Sequence, residues 1–130
     1  MARPIGTHRP SSVRSMSPVE ASWVGAFIEA DGNISIYDPH PHTDCSCQYV
    51  MLKVTQKDIE PIATILRLTK VGRVSYTNPS PTPTCDAYRI WRWEVNAQGD
   101  ASDLVQQLAP YCAKAQKALP VIAWRYGGSY

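Results

Sequence analysis

Apolar residues recur with helical spacing in four stretches of this chain and alternate with polar ones in four others. The first helical stretch runs from Ser17 to Gly32, SPVEASWVGAFIEADG. Ser17 suits an N-cap, Pro18 the first helical position, and Glu20 completes a capping box with Ser17. Trp23, Val24, Ala26, Phe27 and Ile28 supply its apolar bulk, and Gly32 is expected to stop it as a left-handed residue. Asn33–Tyr37 then alternates as a half-buried strand, and a loop rich in proline and aspartate leads to a second strand over 48–55. Helical spacing returns over Asp58–Leu68, with Pro61 in the first turn, where it is tolerated.

Gly72 opens a third strand, Arg73–Thr77, and the proline-rich run NPSPTPTCD separates it from a fourth, Ala87–Val95. Helices are predicted over Ala101–Ala109 and from Tyr111 to about Trp124, with Pro110 between them. Four such strands form an antiparallel sheet with one apolar face for the helices to cover, an α+β fold. The other face carries Ser35, Tyr37, Tyr49, Met51, Lys53 and Thr55 from the first pair of strands. Arg73, Ser75, Thr77, Tyr88, Ile90 and Arg92 come from the second. With no acid except Glu94 near its end, that surface has the make-up of a binding face, the alternative being a plain solvated one on which exposed Tyr, Met and Ile occur singly.

Composition changes this picture little. A chain of 130 residues, 44% hydrophobic and 18% charged, can bury a core as one domain. No run is long or apolar enough to cross a membrane, and residues 1–17 lack the apolar core of a signal peptide, which points to an intracellular protein. Cys45 and Cys47 form a C-x-C pair with no second pair at zinc-site spacing, so Cys85, Cys112 and these two are read as free thiols. A formal net charge of +2 does not by itself announce a nucleic-acid partner. Arg3, Arg9 and Arg14, with no acid before residue 20, make residues 1–16 a short basic tail. It is either an arm for phosphates or a flexible leader. The domain proper is placed at 17–125, with 126–130 a flexible end.

Candidate chemistry enters at the end of the first helix. Ser22, Gly25, Ala26 and Ala30, with Glu29 beside them, form a small-residue strip suited to close helix packing, against the chain's own sheet or a second copy. Asp31 places a carboxylate at the unfavourable end of the helix dipole, where a divalent cation would suit it together with unpaired last-turn carbonyls. Glu29 does not converge with it, because residues two apart point about 200° away from each other on a helix. One Asp is a poor metal site. Two copies packed through the strip would bring both Asp31 carboxylates together and join two sheets into one long groove for a two-fold symmetric duplex.

Trp23 followed by Val24-Gly-Ala-Phe-Ile-Glu-Ala-Asp-Gly32 resembles the signature helix of the LAGLIDADG homing endonucleases. Gly25-Ala26 stands where that family usually has Ala-Gly, and Glu29 where Asp is common. The likeness extends over about residues 18–124, in the order αββαββα. It implies that fold, with a four-stranded antiparallel sheet covered by helices on one face. A single motif copy implies a homodimer.

The same resemblance assigns Asp31 to the metal-binding acid, with the Ala30 or Gly32 carbonyl assisting, and implies Mg²⁺ (Mn²⁺ as substitute) as cofactor. Val54-Thr-Gln-Lys57 matches a segment whose Gln, here Gln56, organises active-site solvent. A basic residue found one turn later in such proteins is replaced by Glu60. Leu108-Ala-Pro-Tyr111 matches a segment followed by an active-site lysine, here Lys114 or Lys117, although the family's spacing falls on Ala115.

The resemblance implies a magnesium-dependent endonuclease for intron homing. It would cut a long, near-palindromic double-stranded DNA site to short 3′ overhangs, in a cytoplasmic or organellar setting and with no membrane partner. The outer sheet face would read the major groove, with Arg89, of opposite parity to Arg92, touching phosphate. The competing implication is a non-cleaving relative, an RNA-binding intron maturase or a transcription regulator. A plain structural homodimer is a third reading.

Overall fold

The computed structural model describes residues 10–38, 48–77 and 90–126. Helix α1 (Pro18–Asp31) runs directly into β1 (Gly32–Tyr37), which pairs with β2 (Tyr49–Gln56). Helix α2 (Ile59–Thr69) leads to β3 (Arg73–Thr77), and β4 (Ile90–Val95) returns beside it. Helix α3 (Gln98–Leu108), a 3₁₀ turn (Ala109–Tyr111) and α4 (Ala113–Tyr126) complete the order. The four strands form one antiparallel sheet in the order β1-β2-β4-β3, with the helices packed on one face.

The register explains which side is covered. Ile34 pairs with Leu52 and Leu52 with Val95, while Val54 pairs with Trp93 and Trp93 with Val74. These point to the helices, and Leu52, Val54 and Trp93 are fully buried with Val24, Ile28, Ile62, Ile65, Leu104, Leu108 and Ile122. Full burial of each such side chain contributes roughly 1.5–3 kcal/mol, the main source of stability here.

The capping box of α1 forms as expected: Glu20 N–H donates to Ser17 Oγ at 3.2 Å, and Ser17 N–H donates to the Glu20 carboxylate at 2.9 Å. The end of α1 differs from expectation. Gly32 is not left-handed; its φ is −104°. Glycine is required there by close approach, since a Cβ would sit 2.9 Å from Ile28 Cα and 3.0 Å from Val54 Cγ2.

The N-terminal segment is a second correction. Residues 10–16, expected within a flexible tail, lie against the domain. Ser11 Oγ donates to Asp103, Ser12 N–H to Asp100, Arg14 N–H to the Thr69 carbonyl and Met16 N–H to Gln107. Val13 and Met16 pack on the core, and Arg14 pairs with Glu20 at 3.0 Å. Arg14 is therefore committed to its own chain. Arg3 and Arg9, like Cys45, Cys47, Cys85 and the 126–130 end beyond Tyr126, lie outside the described residues.

Helix α3 begins at Gln98, three residues earlier than its apolar spacing suggests. Gln98 is buried and its amide bonds both the N–H and the carbonyl of Val50, each at 2.9 Å. Strand β4 ends opposite Leu52, so beyond that point the Gln98 side chain stands in for the missing strand. No helix among the described residues is long and apolar enough to cross a membrane.

Candidate nucleic-acid interface and acidic centre

The outer sheet face assembles as its alternation predicts. Across the strands run the rows Tyr37–Tyr49, Ser35–Met51, Asn33–Lys53–Glu94–Arg73, Thr55–Arg92–Ser75 and Ile90–Thr77. Ser35, Tyr37, Tyr49, Met51, Lys53, Thr55, Arg73, Ser75, Thr77, Ile90 and Arg92 thus share one side; Tyr88 and Arg89 lie outside the described residues. Tyr37 and Tyr49 meet edge to face at 5.9 Å. Arg92 sits between Thr55 and Ser75, and its Nε is buried without a hydrogen-bond partner among the described residues. A desolvated guanidinium N–H with no acceptor is costly, so the structure keeps Arg92 on this face at some expense.

Asp31 ends α1 where the chain turns into β1, so the carboxylate stands at the inner end of the first strand. It is exposed and makes no hydrogen bond or ion pair with any described residue. No group of three or more His, Cys, Asp or Glu that could hold a metal ion gathers among the described residues, around Asp31 or elsewhere. Ala30 is exposed beside it. The Gly32 carbonyl, expected as a further metal ligand, already accepts from Lys114 Nζ at 2.8 Å.

That bond is half of a clamp between α1 and α4. Lys114 Nζ also approaches the Ile28 carbonyl at 3.3 Å, so its ammonium neutralises the negative end of the α1 dipole on both sides of Asp31. In return, the Glu29 carboxylate accepts the Lys114 backbone N–H at 3.0 Å and the Cys112 thiol at 3.4 Å, capping the start of α4. The Lys114 N–H, with smaller help from the Cys112 thiol, holds the Glu29 carboxyl below its usual range. Burial pushes the Cys112 thiol up. The active-site lysine that the resemblance implies at Lys114 is here an ammonium bonded to backbone carbonyls, a role its place in the sequence does not announce. Lys117 is exposed one turn further on, while Ala115 between them is fully buried and holds no place for a charge. Gln56 is half-buried at the end of β2, on the helix side opposite Trp91.

The small-residue strip divides. Ser22, Ala26 and Ala30 are exposed on one face of α1. Gly25 does not join them: it is buried, and a Cβ there would lie 3.1 Å from Tyr111 Cβ. Glu29 is turned to α4. Val19 and Trp23, the latter read from sequence as part of the helix's packing bulk, are 79% and 40% exposed and extend the stripe 19-22-23-26-30. Trp23 stacks on Phe27 at 5.4 Å. The signal was present in the spacing, since Val24 and Ile28 define the buried side and Trp23 lies off it.

No family model matches the sequence, and a search of curated proteins returns no match. Solved structures do match. Two are of the homing endonuclease I-CvuI: one in complex with the I-CreI target in the presence of Mg, with the DNA not cleaved, the other with its own target in the presence of Ca. The chain is 20% identical to both, with TM-scores of 0.59 and 0.61 over 80% and 82% of its residues. A third is the group I intron-encoded homing endonuclease I-CeuI complexed with DNA, 13% identical, with a TM-score of 0.53 over 85% of this chain. The chain spans 66% and 68% of the I-CvuI chains and 53% of the I-CeuI chain. At such identities the likeness is one of architecture, and this chain has the fold of the homing endonucleases I-CvuI and I-CeuI.

Proposed function

We propose that this protein is a metal-dependent, site-specific DNA endonuclease acting as a homodimer of the single-motif LAGLIDADG type. The observation that carries the reading is the outer sheet face: candidate side chains from all four strands share the side that the described helices leave uncovered, and Arg92 Nε has no partner there among the described residues. Homing endonucleases of the same fold have been solved with DNA, which favours a duplex as the occupant. The exposed stripe Val19, Ser22, Trp23, Ala26 and Ala30 provides a self-complementary helix face for a second copy.

Asp31 and the Ala30 carbonyl are hard oxygen donors suited to Mg²⁺ or Mn²⁺, and two chains with a DNA phosphate would complete a shell that one chain lacks. Such an ion, when bound, supplies polarisation of the phosphodiester and an activated water. Lys114 keeps the last turn of α1 in place so that Asp31 faces the phosphate. Gln56 orients solvent from the end of β2, and Lys117 is the exposed α4 ammonium for the phosphate charge. Lys53, Arg73 and Arg92 read base edges in the major groove, with Ser and Thr hydroxyls between them. One Asp31 per strand would cut both strands of a near-palindromic site, and short 3′ overhangs are what the family resemblance implies for it.

Selection of duplexes from a randomised library with Mg²⁺, followed by comparison with Asp31→Asn, tests the reading. Cutting should fall on the order of 100-fold or more in the variant while binding stays within about threefold. Sequence-selective binding with no cutting by either protein would replace the nuclease with a non-cleaving relative.

A further inference from the structure

The outer face holds one acid among its described residues, Glu94, and it sits in the middle. Lys53 is its cross-strand partner on one side and Arg73 on the other, with Asn33 beyond Lys53. Opposite charges placed in this way attract across strands and commonly close ion pairs. Here neither cation forms an ion pair with Glu94 among the described residues. The carboxylate is instead held from its own strand end, where the Asn96 side-chain amide donates to Oε1 at 3.0 Å.

A carboxylate on a face that meets phosphates weakens binding to every sequence alike. Its distinctive capacity on such a face is to accept a hydrogen bond from a base. In the major groove cytosine offers the N4 amine, whereas guanine presents the O6 and N7 acceptors and repels an acid. Lysine and arginine make the opposite choice and favour guanine. The row therefore presents donor, acceptor and donor in adjacent strands, about 4.8 Å apart.

We propose that Glu94 is a specificity-determining residue that selects cytosine at one position of each half-site, with Lys53 and Arg73 favouring guanine at adjoining positions. The inference rests on the outer face being the DNA-reading surface. Asn96 acts as a positioning residue that fixes the carboxylate toward the groove.

Duplexes selected from a randomised library in Ca²⁺ by the wild type, Glu94→Gln and Glu94→Ala provide the test, with thermal melts confirming folded protein. The wild type should enrich cytosine at one position per half-site. Glu94→Gln should move that position toward adenine, which an amide pairs with, and Glu94→Ala should relax it, each reducing cytosine discrimination on the order of tenfold. Other positions should keep their bases. Unchanged selected sequences, or an even gain in affinity for all duplexes, would overturn the assignment and leave Glu94 as a counter-charge within the sheet. A wild type that enriches no sequence would instead overturn the base-reading face, and Glu94 with it.

Discussion

Gly72 has φ +107°, and a Cβ on it would stand 2.2 Å from Trp93 Nε1. That indole is fully buried and donates to the Val71 carbonyl at 2.9 Å, so the turn before β3 closes directly over the largest core side chain. Gly72→Ala should therefore lower the melting temperature by more than about 3 °C, through strain and displacement of Trp93 together. Trp93→Phe removes the donor and part of the volume and should cost about 1–3 kcal/mol in denaturant unfolding. Glu20 supplies a pH test. The Arg14 guanidinium and then the Ser17 N–H hold its carboxyl down at about 2 from 4.5. A depressed folded value means its contribution is complete above pH 4.5 and is lost as pH falls toward 2. In an acid titration followed by circular dichroism, Glu20→Gln should be less stable at neutral pH and flatter across that window.

Among elements, the junction of α1 with α4 decides where Asp31 stands. Glu29 caps α4 while Lys114 bonds the carbonyls of Ile28 and Gly32. Because both groups act at one joint, Glu29→Gln and Lys114→Met should each raise the Mg²⁺ concentration for half-maximal cutting. The double variant should lose little more than the worse single. A lysine serving the phosphate alone would lower cutting in Lys114→Met and leave Glu29→Gln untouched. The strap formed by residues 10–16 ties α1, α2 and α3 together through Arg14, Met16 and Ser12. Its charge is spent within the domain, so Arg14→Ala should cost stability and leave the salt dependence of DNA binding unchanged.

For the whole molecule, the exposed stripe on α1 and the uncovered sheet meet at Asp31, the point where a two-fold axis would fall in a dimer. Ala26→Glu places a like charge on itself across that axis and should yield monomers in sedimentation with the fold retained. Cutting of both strands should fail along with dimerisation. A cationic face on a duplex predicts a steep fall of affinity with salt, and because Lys53, Arg73 and Arg92 read bases, removing one should change the preferred base at its position more than the slope. Element order, sheet class and the membership of the outer face were legible in the sequence, because periods of 2 and 3.6 are local properties of the chain. The docked strap was not legible, since its hydrogen bonds join residues about 90 positions apart, as Ser11 does with Asp103. Gln98 escaped for the same reason: a buried amide looks polar in sequence, and only the early end of β4 creates the vacancy it fills beside Val50.

The linear pattern alone determined the helices and strands, the single acid closing α1 and the face on which Lys53, Arg73 and Arg92 stand, since alternation fixes side-chain parity before any fold exists. Tertiary structure alone decided which small residues of α1 remain free, why position 32 is glycine and what Lys114 does. Those are distances between segments far apart along the chain, to Tyr111, Val54 and the end of α1, which come into being only when the elements pack.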